Sequence, residues 1–117
     1  MKDRFLELAQ SVKRNNPGNW YTQRNLILKV IEEIFKTYPD CYEQNWLYDG
    51  KINLIMFKYE GDIYFWWDGV NGKTIECSGL ERMVGKPKDG KVMTEILWNS
   101  DASDHKPMIP QLPINFT

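Results

Sequence analysis

The chain has 117 residues, with fifteen Lys and Arg against sixteen Asp and Glu, a formal charge of −1 and 42% hydrophobic residues. That length supports one domain with its own core, the hydrophobic content excludes a disordered tail, and the charge balance excludes a basic field for phosphate backbones or anionic membranes. The departure from the ordinary is aromatic: Trp, Tyr and Phe make up 14% of the residues.

The opening stretch MKDRFLELAQSV carries charge inside its apolar pattern, and no apolar run reaches the roughly 18 residues of a membrane span, so a cytoplasmic location is expected. Phe5, Leu8, Ala9 and Val12 recur at helical spacing and predict an amphipathic helix that Asn15-Asn16-Pro17-Gly18 stops. A second helix follows on the stripe Ile27, Val30, Ile31, Ile34, Phe35 and Tyr38, with Thr22 as its N-cap and Pro39-Asp40 closing it. The two helices are expected to lie side by side.

From Cys41 the period changes to that of strands, punctuated by the turn dipeptides Asp49-Gly50, Glu60-Gly61 and Asn71-Gly72. These residues tolerate the positive φ of a type I′ turn, so a meander is expected over 42–48, 51–59, 62–70 and 73–78. Ser78 to Gly85 reads as a short helical turn, and Lys91 to Trp98 as a fifth strand. The whole is an α+β domain over 1–98, two helices on one face of a roughly five-stranded antiparallel sheet. Over 99–117 the chain turns proline-rich, with Pro107, Pro110 and Pro113 at the repeat of a polyproline II helix, and is expected to pack on the same domain.

Two-residue turns would pair Tyr48 with Lys51, Tyr59 with Asp62 and Val70 with Lys73. One face then collects Leu47, Ile52, Leu54, Met56, Ile63, Phe65 and Trp67, an aliphatic set suited to the two helices. The other collects Tyr42, Gln44, Trp46, Tyr48, Asn53, Phe57, Tyr64, Trp66 and Asp68. An aromatic face with polar tips, left without helices, would be a contact surface, and Trp46, Tyr48, Asn53, Tyr64, Trp66 and Asp68 are its candidate binding residues. Its cover is the proline-rich tail, a protein partner, a second copy of the chain, or a planar ligand.

Catalytic motifs are lacking. Asp101, Asp104 and His105 bring two carboxylates and the single imidazole together, but in a polar loop whose spacing matches no closed metal site. Cys41 and Cys77 stand apart without a CxxC or Cys/His spacing and are expected reduced, a disulfide being the alternative in a secreted protein. There is no P-loop, nucleophile elbow or zinc pattern, so no cofactor or metal is expected. Lys13, Arg14, Arg24 and Lys29 are placed on solvated helix faces away from the aromatics, which argues against single-stranded nucleic acid.

The order of two helices, a meander and a terminal strand is similar to that of many small α+β proteins, among them compact immunity and inhibitor proteins of bacterial or phage conflict. That similarity implies a non-catalytic protein-interaction module working through the aromatic face. The alternative is a protein that binds a planar or nucleotide-like ligand there, or a minor enzyme, with Trp46, Tyr64 and Trp66 stacking on the ligand and Asn53 or Asp68 orienting it.

Overall fold

A computed structural model describes residues 4–48, 52–89 and 91–100, with the backbone alone over 42–48. The proline repeat and the Asp101, Asp104, His105 group lie outside the described residues. Helix α1 (Arg4–Asn15) buries Phe5, Ala9 and Val12, and helix α2 (Trp20–Thr37) buries Ile27, Ile31 and Ile34, as their periodicity predicts. The cap of α2 is Asn19 and not Thr22: Thr22 donates its backbone N–H to Asn19 Oδ1 at 3.2 Å. Gly18, at φ 75°, turns the chain into that cap. At the other end Tyr38 N–H donates to Ile34 O at 2.8 Å, and a 3-10 turn, Pro39–Cys41, leads into the sheet.

Strands β1 (Tyr42–Tyr48), β2 (Ile52–Tyr59), β3 (Asp62–Asn71), β4 (Thr74–Met83) and β5 (Thr94–Asn99) form an antiparallel sheet in the order β1-β2-β3-β4-β5, with side chains described for β2 to β5. The β2–β3 hairpin is as expected. Tyr59 pairs with Asp62, and Glu60 and Gly61 take the positive φ values, 51° and 85°, that a type I′ turn requires. Three other expectations are corrected. Val70 pairs with Ile75 and Asn71 with Thr74, because the two-residue turn falls at Gly72 and Lys73, with Gly72 at φ 62°, and the ladder is bulged further on, between Gly69 and Val70. Ser78 to Met83 is not helical but continues β4, where Leu80 pairs with Trp98. Strand β5 begins at Thr94, whereas Lys91 makes an isolated bridge with Lys88.

The β1 register also departs from expectation, since Tyr48 pairs with Ile52 and Trp46 with Leu54. Lengthening the connection by one residue exchanges the two faces of a strand, because side chains alternate with period two. Trp46 and Tyr48 therefore stand at register positions opposite Leu54 and Ile52, and Leu47 opposite Asn53. The six candidate residues no longer share one face.

The largest correction concerns the helices. They cover the aromatic face, not the aliphatic one: Phe5, Ala9, Val12, Ile27, Ile31 and Ile34 form one core with Phe57, Tyr64, Trp66, Leu80, Leu97 and Trp98. Large flat rings bury more apolar area against a helix stripe than branched aliphatics do, which favours this side. Trp66 and Trp98 stack at 5.8 Å and 3°, while Phe57, Tyr64 and Phe5 form a second group of rings. On the opposite face Leu54, Met56, Phe65, Trp67 and Val92 form a separate cluster, flanked by half-buried Ile52, Ile63, Cys77 and Met83. Both sides of β3 are thus covered, and its residues 64–68 are all buried.

Candidate functional site

Three places concentrate polar chemistry. The first lies between α2 and the sheet. Arg24 stands three residues before Ile27 on the apolar stripe of α2, so its guanidinium points into the core, where a charge has to be paired. Its partner is Asp68 of β3. Arg24 Nε–H donates to Asp68 Oδ1 at 3.0 Å and Nη2–H to Oδ2 at 3.2 Å, a two-point pairing of fork to carboxylate. Trp66 Nε1–H donates to Oδ2 at 3.2 Å, and the Ser78 hydroxyl donates to Oδ1. Arg24 also lies over the rings of Trp66 and Tyr21, and its Nη1–H donates to Asn25 Oδ1 at 2.8 Å. Beside this group, Gln23 Oε1 accepts from Trp98 Nε1–H at 2.9 Å and Gln23 Nε2–H donates to Asn16 O at 2.7 Å. Arg24, expected on a solvated face, is instead the buried anchor of α2.

The second place is on the other face. Glu81 is fully buried, its Oε2 accepting from Trp67 Nε1–H at 2.8 Å and its Oε1 from the Thr94 hydroxyl at 2.6 Å. The Trp67 ring lies across Gly79, where a Cβ would stand 2.5 Å from the indole. Only glycine permits that approach. The adjacent tryptophans thus face opposite cores, and each indole N–H meets a carboxylate.

The third is a cleft of about 370 Å³ beside the α1–α2 connection, lined by Lys13, Pro17, Gly18, Trp20, Gln23, Asn99 and Ser100. Asn99 is 8% exposed, and its Oδ1 has no hydrogen-bond partner among the described residues. A smaller hollow of about 230 Å³ is lined by Tyr38, Cys41, Lys58, Tyr59 and Glu60. Cys41, buried, and Cys77, half-buried, are not joined in a disulfide.

Of the candidate binding residues, Tyr64, Trp66 and Asp68 are buried beneath the helices and Asn53 is half-buried opposite Asp68. Trp46 and Tyr48 are placed by backbone register alone. Sequence reasoning missed Arg24, Gln23, Ser78 and Glu81. For the first two a signal existed: both fall at helical spacing before Ile27, on the stripe that enters the core. Among the described residues no group of three His, Cys, Asp or Glu is placed to hold a metal ion, and no helix is long and apolar enough to cross a membrane. No protein-family model, curated protein or solved structure matches this chain.

Proposed function

We propose that the protein is a non-catalytic interaction module, of the inhibitor or immunity type, whose contact surface is the sheet face opposite the helices. The observation that supports this reading is the make-up of that face: among the described residues the second apolar cluster draws on no helix, and half-buried apolar side chains ring it. Ile52, Ile63, Cys77 and Met83 are half-buried there, with Met56 beneath and Lys58, paired with Ile63, as an exposed charge at the margin. So weakly charged a face suits a protein partner presenting an apolar surface of its own, and the pliant methionines suit close packing. Asp68 and Glu81 support the non-catalytic part, since both spend their oxygens on internal donors.

Site-specific photo-crosslinking tests the surface. A crosslinker at Ile63 is expected to capture a protein that the same group at Leu26, exposed on α2, does not, and Met83→Asp is expected to abolish the capture. Equal capture from both positions overturns the choice of face. Capture of a second copy, with dimers in sedimentation, replaces the partner by self-association.

A further inference from the structure

The connection from β4 to β5, Val84 to Met93, has the sequence VGKPKDGKVM, with three lysines within six residues and neither an aromatic residue nor an arginine. Both of its arms are tied to the sheet face opposite the helices: Val92, 2% exposed, belongs to the second apolar cluster, and Met83, at the end of β4, packs against it. Burial of Val92 fixes where the connection lies, at the margin of that face.

Lys86, Lys88 and Lys91 are all exposed. Lys88 and Lys91 stand directly opposite one another: the backbone N–H of each donates to the backbone O of the other at 2.9 Å, and Asp89, at φ 54°, opens the turn between them. Side chains of such a pair project from the same side, so two ammonium groups are held as neighbours, an arrangement that disfavours the fold of the protein on its own. Carboxylates brought by a partner offset that repulsion. Nearer the sheet, Val84 N–H donates to Met93 O at 2.8 Å, and these two side chains, 49% and 59% exposed, set an open apolar pair at the base of the lysine tip.

An anionic surface is the complement of such a tip, and the composition selects among the kinds available. Single-stranded nucleic acid is met by rings that stack on bases, and an anionic bilayer by clusters of about four to eight basic residues. The connection has neither. Acidic side chains interleaved with apolar ones match the lysines and the Val84–Met93 pair together.

We propose that this connection is the charged margin of the contact surface and takes an acidic segment of the protein partner, its carboxylates on Lys86, Lys88 and Lys91 and an apolar side chain on Val84 and Met93. The inference rests on the sheet-face reading above and names the chemistry of the partner along one edge of it.

Titration of the isotope-labelled full chain with a short peptide of glutamate and leucine, followed through amide chemical shifts, tests it. A peptide of lysine and leucine, single-stranded oligothymidine and vesicles containing phosphatidylserine are the competing probes. The acidic peptide is expected to shift the amides of residues 84–93, with an affinity that falls as salt rises. Lys88→Glu is expected to weaken that peptide about tenfold and at the same time to raise Tm by about 1–4 °C, because it turns a like-charged pair into an opposite one. A purely structural role for the lysine would not move binding and stability in opposite directions. No shift in 84–93 at millimolar acidic peptide overturns the proposal, as does equal binding of the lysine peptide, or tighter binding of the oligothymidine or the vesicles. The crosslinker at Ile63 reports on the sheet face by itself. Selective capture there with no hairpin shifts overturns this inference alone, whereas hairpin shifts with equal capture from Ile63 and Leu26 overturn the choice of face and leave the acidic ligand of the connection standing.

Discussion

At Asp68 four hydrogen bonds converge on one carboxylate, two of them from Arg24 and the others from Trp66 and Ser78. Both partners of the ion pair are buried, so removing one leaves a charge without compensation in a medium that solvates it poorly. Asp68→Ala is therefore expected to lower stability by about 3–5 kcal/mol in urea denaturation. Replacing both, Arg24→Met with Asp68→Leu, is expected to cost much less than the two single changes added together. Additive losses would show that the two charges act independently. Asp68 was legible as a polar position beside Trp66. Its partner was not, because the pairing spans 44 positions in the sequence and nothing local announces it.

At the scale of elements, the hairpin of β2 and β3 shows what a turn dipeptide decides. Glu60 carries a positive φ of 51°, which an ordinary side chain adopts at a cost and asparagine tolerates better. Glu60→Asn, which makes the turn Asn-Gly, is expected to raise stability by roughly 0.5 kcal/mol, read as a higher denaturation midpoint at unchanged slope. A lower midpoint would mean that Glu60 contributes an interaction outweighing its backbone strain. This turn was legible because its conformation rests on two adjacent residues. The stretch Ser78 to Met83 was misread for the opposite reason: a capping serine and a later glycine suit a short helix, but the ladders to β3 and β5 supply partners for the backbone groups there. Local preference lost to non-local pairing.

For the whole molecule, the consequence of helices on one face and an apolar cluster on the other is that Trp66, Trp67 and Trp98 are all enclosed, while Trp20 is half-buried. In a Trp20→Phe, Trp46→Phe protein, the remaining tryptophan fluorescence is expected to resist iodide until urea unfolds the chain. Quenching as ready in the native as in the unfolded protein would contradict this arrangement. The α+β class, the two helices, and the division of β2 and β3 into an aliphatic and an aromatic face were all present in the order of residues, because periods of 3.6 and 2 are properties of the backbone itself. Which of the two faces received the helices was decided only in three dimensions. Both faces were apolar enough to be buried, so the choice turned on a difference in buried area and ring packing between segments far apart in the chain. The same holds for Arg24, whose place on the apolar stripe acquires its meaning from Asp68 across the interface, and for Trp46 and Tyr48, whose register shifts by one residue with the length of a single connection.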